Sequence, residues 1–278
     1  MAITPFQTGI LRRLAVRRRE KGESYVAGGV ALNLLLDTPR RSRDIDLFHD
    51  TGEALAATWV SDRETLKSAG YEVTVRREAI SFVDARVSKG GESTAMQWTR
   101  DSAYRFFPLM EDPLMGLTLH PFDLATNKVL AMAGRVEVRD WIDVLNCAAC
   151  LQPFGYLIWA ACGKDPGYNP RSLLAVASRL HYSHAEVNTL DFEGQHPDAG
   201  VLGRQWHEAL ETADAICRLL PVKQVGTCVL SASRALYRGT PQALADSIAK
   251  GTILFHDGRI GGSWPSVVGG ETGAVSRP

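Results

Sequence analysis

The stretch from Gly28 to Phe48 constrains this chain more than any other: Gly-Gly-Val-Ala-Leu-Asn-Leu-Leu-Leu-Asp-Thr-Pro-Arg-Arg-Ser-Arg-Asp-Ile-Asp-Leu-Phe. Over residues 42–48, apolar Ile45 and Leu47 alternate with charged Arg43, Asp44 and Asp46, the period-two pattern of a strand with one buried face. Strand side chains point alternately to the two faces, so Asp44 and Asp46 share one face while Ile45 and Leu47 pack behind it. Two adjacent carboxylates repel unless a cation lies between them, and a hard divalent ion with oxygen ligands is suited to that place. Magnesium meets the description because it keeps part of its shell for water and substrate phosphates. Just upstream, Gly28-Gly29 follows apolar Tyr25-Val26-Ala27 and precedes an apolar run over 30–36, which reads as a turn from strand into helix. A backbone without Cβ atoms lets a phosphate approach closely, and a helix N-terminus offers it unpaired N–H groups. Phosphate and metal therefore meet at one place.

That ordered pair, Gly-Gly-x-Ala-Leu and then Arg-x-Ser-Arg-Asp-Ile-Asp-Leu-Phe, resembles the nucleotidyltransferase fold shared with DNA polymerase β. Within it the chain is similar to the AbiEii/AbiGii-type nucleotidyltransferases, many of which are toxins of type IV-like toxin–antitoxin pairs. A second stretch carries the same resemblance: Asp123-Leu-Ala-x-x-Lys128, then Arg135-x-x-x-Arg139-Asp140-x-x-Asp143. Together the motifs span roughly residues 25–146. The resemblance implies an α/β (α+β) fold, a polymerase β-like core with a mixed twisted sheet followed by a mainly helical C-terminal part. It implies transfer of a nucleoside monophosphate from a nucleoside triphosphate to an RNA 3′ end, that of tRNA, with Mg2+ in a two-metal site and a cognate antitoxin as partner. It gives Lys128 the nucleotide's phosphates and makes Asp143 part of the site. Val30 departs from the family, where Ser or Thr often follows the glycine pair.

The site expected from these readings has Asp44 and Asp46 as metal ligands and catalytic carboxylates, and Gly28, Gly29, Arg43 and Lys128 on the nucleotide. Arg40, Arg41 and Arg43 run up to the metal strand, where guanidinium forks balance carboxylate or phosphate charge. In this fold a third carboxylate usually stands on a neighbouring strand. Gln97 occupies the first place to look and cannot act as a base, which leaves Asp84 and Asp101; Asp101 is preferred. A lysine in an apolar helix turn must reach an anion or water, which suits Lys128 to a triphosphate. Arg139, Asp140 and Asp143 fit a structural ion-pair network between two helices equally well.

Around this centre the pattern predicts an amphipathic helix over 6–21 ended by Gly22, with Phe6, Ile10, Leu11, Leu14 and Ala15 on one side. Arg12, Arg13, Arg17, Arg18 and Arg19 lie on the other, as a solvated face or a phosphate-tracking patch beside the site. Helices are expected over 30–36 and 52–69, strands over 71–77, 79–88 and 93–101, and a turn at 89–92. After an irregular connection over 108–119, a long helix starts at His120-Pro121 and breaks at Gly134. Further helices are expected over 151–162, 171–180, 203–219 and 241–251, with a hairpin over 252–260 turning at Asp257-Gly258. These divide into a core over 1–120, a mainly helical part over 121–268 and a disordered tail over 269–278.

A formal net charge of zero gives no global pull onto nucleic acid or membrane, so any polynucleotide contact needs a local patch. With no basic-then-apolar leader and no apolar run long enough to span a bilayer, a cytoplasmic protein is expected. Five cysteines without a secretion signal argue against a disulfide framework. Cys147-x-x-Cys150 continues an apolar helix and reads as buried structure rather than zinc, and His181, His184 and His196 read as solvated loop residues. Two rivals remain. A small-molecule nucleotidyltransferase of the aminoglycoside-modifying kind would need an acidic acceptor pocket, and a silent nucleotide-binding module would keep the fold without the chemistry.

Overall fold

The computed structural model describes residues 3–265. Helix α1 (Pro5–Lys21) opens on a capping box between Thr4 and Gln7 and closes at Gly22 in the left-handed region, φ 68°. Strand β1 (Tyr25–Ala27) runs directly into α2 (Gly28–Leu35), and β2 (Asp44–His49), α3 (Gly52–Ser68), β3 (Glu72–Ala79), β4 (Phe82–Lys89) and β5 (Glu92–Arg100) follow. Three short strands, β6 (Tyr104–Arg105), β7 (Met110–Asp112) and β8 (Gly116–Thr118), lead to α4 (Pro121–Arg135). The helices α5 (Val138–Cys150), α6 (Phe154–Lys164), α7 (Pro170–Ala177), α8 (His184–Val187) and α9 (Ala199–Leu219) come next. The last described elements are β9 (Cys228–Ser231), α10 (Pro241–Ala249), β10 (Ile253–His256) and β11 (Arg259–Ile260).

Seven strands form a mixed sheet in the order β3-β4-β5-β2-β1-β8-β7. At its centre β2 runs parallel to β5 and antiparallel to β1. The alternation along β2 does what its sequence implies: Ile45 and Leu47 are fully buried, and Asp44 and Asp46 face the other way. On the Leu47 side lie α1 and α3, and Trp98, opposite Leu47, donates its indole N–H to Asp62 of α3 at 3.0 Å. On the aspartate side lie α2 and the α4–α5 pair. This is the mixed α/β architecture expected.

The position of α1 corrects one reading. Its arginines sit across the sheet from the aspartates, where Arg13 and Arg17 line a shallow groove with Ser61, Glu64 and Thr65 of α3. Arg18 is buried rather than solvated, its guanidinium donating to Ser24 Oγ and to the Met115 carbonyl. Gly116 passes so close to α1 that a Cβ there would lie 2.5 Å from the Ala15 carbonyl oxygen.

The expected hairpin over 252–260 also differs. β10 pairs with β9 and β11 pairs with β6, so Asp257-Gly258 joins two separate ribbons instead of turning one back on itself. The apolar run of β9 was too short to stand out from its loop. Helix α6 starts after Pro153, and α9 starts at Ala199 on an Asp198 cap. The expected tail over 269–278 lies outside the described residues. All five cysteines are free thiols, with Cys147 buried on α5. Among the described residues no single helix is long and apolar enough to cross a membrane.

Candidate active site

Antiparallel pairing sets Ala27 opposite Asp46, which places the carboxylate directly over the turn into α2. Gly28 has φ 65°, and a Cβ there would lie 1.8 Å from Asp46 Oδ2. Only glycine fits, because both the left-handed backbone and the carboxylate exclude a side chain. At Gly29 a Cβ would meet Ser42 Oγ at 2.8 Å and Arg40 Nη2 at 2.9 Å. The residue capping α2 is Ala27, which has no side-chain acceptor, so the first N–H groups of the helix are left for a ligand.

The two aspartates differ. Burial raises the pKa of Asp46; Lys128 opposes the rise and Asp44 adds to it, leaving the carboxyl at about 6. Asp44 is half-buried and has Arg139 Nη1 at 3.7 Å, while Arg139 Nε engages Glu137 at 2.6 Å. A partly buried carboxylate pair with one loosely placed cation is a donor set that fits a hard divalent ion. Among the described residues no cluster of three or more Asp, Glu, His or Cys is placed to hold a metal ion.

Register also locates the candidates for a third carboxylate. Parallel pairing puts Gln97 opposite Asp46, and Gln97 lines the cavity. Asp84 is opposite Gln97 but one strand further out, bound by Arg76 at 2.6 Å. The structure does not bring Asp101 to the aspartate pair. It lies four residues past Gln97, about 13 Å further along at 3.3 Å per residue. There its N–H donates to the His49 carbonyl at 2.9 Å, and burial raises its pKa beside Lys164, Asp50 and Arg105.

Behind the cavity is a buried charge cluster. Asp143 accepts two hydrogen bonds from Arg40, at 2.7 and 2.8 Å, and pairs with Lys128 Nζ at 2.9 Å. Lys128 also pairs with Asp140 at 3.0 Å, and Arg135 with Asp140 at 2.9 Å. Both carboxylates are fully buried. Burial works against the charge on Lys128, but Asp143 and Asp140 outweigh it and raise its pKa. Burial likewise works against the Asp143 carboxylate, and Lys128 and Arg40 overcome it and lower its pKa. Lys128 reaches the cavity wall; Asp143 does not line it and instead holds Arg40 and Lys128.

These residues enclose a cavity of about 760 Å³ whose outer wall comes from the segment around α8, with Tyr182, Glu186, Thr189, Leu190 and Asp191. The sequence reading missed this wall. It is tied to the segment leading into β2 by Arg41 N–H to the Asp191 carbonyl at 2.8 Å, Glu193 N–H to the Pro39 carbonyl at 2.7 Å, and Arg43 to Asp191 at 2.6 Å. Its one local signal is the Ser183–Glu186 capping box of a four-residue helix. Arg43, expected on the nucleotide, is exposed at the cavity edge in that last ion pair.

The family profile described as nucleotidyl transferase AbiEii toxin, type IV TA system, matches residues 9–158. The chain belongs to the AbiEii family. As an AbiEii protein it is a nucleotidyltransferase of the toxin type, and the matched span carries the Gly28-Gly29 turn, both β2 aspartates, Lys128 and Asp143. It stops short of the α8 wall. No curated protein gives a significant sequence match. Among solved structures, MenT4, a nucleotidyltransferase toxin from Mycobacterium tuberculosis, is 13% identical with a TM-score of 0.49, over 78% of this chain and 85% of that one. JHP933 from Helicobacter pylori is 14% identical with a TM-score of 0.47, over 76% of this chain and 95% of that one.

Proposed function

We propose that this AbiEii protein transfers a nucleoside monophosphate from a nucleoside triphosphate to an RNA 3′ end, that of tRNA, in the cytoplasm and under the control of a cognate antitoxin. One observation carries the reading: the Asp44–Asp46 pair lies against the uncapped N-terminus of α2, so that carboxylates for a cation and N–H groups for a phosphate face one cavity. Residues 1–120 supply this core, and residues 121–268 supply Lys128 and the closing wall.

Asp44 and Asp46 would hold magnesium, which would supply charge neutralisation for the triphosphate and the leaving pyrophosphate. The N–H groups of α2 hold phosphate oxygens, and Lys128, kept charged by Asp140 and Asp143, adds fixed positive potential beside them. Arg135 and Arg139 on the rim face the departing pyrophosphate. The acceptor 3′ oxygen forms a bond to the α-phosphorus as the bond from that phosphorus to the β-phosphate oxygen breaks. Gln97 can hydrogen-bond the acceptor hydroxyl but cannot take its proton, which passes to a cavity carboxylate, Asp44 or Asp46. On the cavity wall Arg40, Arg41, Arg43, Lys128, Arg135 and Arg139 are set against Glu137, Glu186 and Asp191 besides the aspartate pair, a balance that suits a polyanionic acceptor better than a polyamine.

The test is to incubate the protein with magnesium, total tRNA and each α-labelled nucleoside triphosphate in turn, beside an Asp46→Ala control. Label in the tRNA band, lost in the control, is expected. No label with any nucleotide from a folded protein would overturn the tRNA reading.

A further inference from the structure

A second groove, of about 550 Å³, leaves the catalytic cavity along the sheet. It shares Arg43, Asp44 and Asp191 with the cavity and continues over β5 and β4 to Arg86 and Arg76. Register explains why these side chains face the site. Asp44 is opposite Ala95 and Ala95 opposite Arg86, so Arg86 projects from the aspartate face two strands away, about 10 Å at 4.8 Å per strand. The small Ala95 leaves the row between them open. Pairing of β3 with β4 slips between Val75 and Arg77, which makes Arg76 the extra residue of a bulge. A bulge re-aims a side chain, and Arg76 reaches Asp84 in the row of Asp46 and Gln97.

The groove's charge is available. Among the described residues Arg86 donates to the neutral Ser93 hydroxyl at 2.9 Å, and Arg41 adds its charge beside Asp191. The pairs Arg43–Asp191 and Arg76–Asp84 are exposed on their arginine sides, and such pairs contribute only about 0–1 kcal/mol, so a phosphate displaces the carboxylate at small cost. Along one side stand the rings of Phe192 and His196, edge-on to each other with centroids 5.1 Å apart. Guanidinium groups along a groove interleaved with aromatic faces are the combination that binds single-stranded nucleic acid, by phosphate pairing and base stacking.

We propose that this groove holds the single-stranded 3′-terminal segment of the acceptor RNA, with phosphates on Arg41, Arg76 and Arg86 and bases against Phe192 and His196, delivering the terminal hydroxyl to Asp44. The proposal rests on the RNA-acceptor reading above and assigns its path. It leaves the arginines of α1, on the far face of the sheet, without a part in acceptor binding.

The experiment is fluorescence anisotropy of a short labelled single-stranded RNA with a free 3′ hydroxyl, titrated with the full chain at several salt concentrations. On a single strand each phosphate contact contributes about 0.7 to the slope of log K against log salt. The Arg76→Gln/Arg86→Gln variant is expected to lower the slope by about 1.4, which makes binding about 25-fold weaker at 0.1 M salt than a 1 M reference would give. Phe192→Ala is expected to weaken binding at unchanged slope. The double arginine variant should keep wild-type melting and wild-type nucleoside triphosphate binding, and Phe192→Ala, which also loses packing against the core, should keep wild-type nucleoside triphosphate binding while folded. A wild-type slope in the double variant overturns the groove, and if Arg12→Gln/Arg13→Gln/Arg17→Gln removes the slope instead, the RNA reading stands without it. No salt-dependent RNA binding by the wild-type protein overturns both.

Discussion

Replacing Asp143 by Asn separates two roles that the carboxylate could play. Asp143 is fully buried and forms a two-pronged pair with Arg40, itself buried, and a third contact with Lys128. Breaking a buried pair typically costs about 3–5 kcal/mol, since the partner charge stays behind uncompensated. Lys128 keeps Asp140 at 3.0 Å, so the stranded cation is mainly Arg40 and the lower end, about 3 kcal/mol, applies. In a chain of this size each kcal/mol shifts the melting midpoint by about 2–4 °C, which predicts a fall of about 6–12 °C. Thermal melting and the labelled-transfer assay should be run on the same samples, together with Arg40→Gln and the double variant. If Asp143 acts by holding Arg40, the double variant costs much less than the sum of the singles. A variant that melts with the wild type yet transfers nothing would refute this reasoning and place Asp143 on the reacting atoms.

Gly28→Ala is expected to abolish transfer by displacing Asp46, and to cost about 1–2 kcal/mol for the left-handed backbone alone. Gly29→Ala needs no left-handed backbone but would press on Ser42 and on the Arg40 Nη2 that Asp143 holds, so in the same assays it should cost less stability than Gly28→Ala while loosening the Arg40–Asp143 pair. Asp101→Asn should leave the transfer rate at the wild-type level, since Asp101 lies past the end of β5; a collapse in rate would show that it reaches the site. Burial lowers the His49 pKa to about 4 while its Nδ1 is bonded to the Thr99 carbonyl, so the unfolded chain takes a proton near pH 6.5 that the folded chain refuses. Stability from this group is therefore full above about pH 6.5 and falls as pH drops toward 4, by about 2 kcal/mol between pH 7 and 5 relative to His49→Gln in urea titrations. Equal pH dependence of the two proteins would disprove it.

The legible parts of this molecule are those whose physics is local. Alternation around Ile45 and Leu47 gave β2 its faces, Gly22 marked the end of α1, and Lys89-Gly90-Gly91-Glu92 marked the turn between β4 and β5. Asp44, Asp46, Gly28 and Gly29 come together because they sit on one strand–turn–helix unit. Residues whose surroundings depend on register or distant packing were not legible. Asp101 is excluded by the offset between β5 and β2, which no local pattern encodes, and Arg18 is buried only because α1 meets the chain around Met115. Asp143 was readable as either a site residue or a network member, because its spacing from Lys128 and Asp140 is the same in both cases. The α8 wall is polar, short and without a motif, and its place follows from backbone bonds to residues 39–41.

That wall sets an order of events during synthesis. The aspartates stand on residues 44 and 46, but the bond that closes the cavity edge joins Arg43 to Asp191, 148 positions later. An emerging chain shows its aspartate strand early and has no enclosed cavity until the α8 segment has left the ribosome and docked. A chain interrupted before that point carries the family's signature residues without a finished pocket.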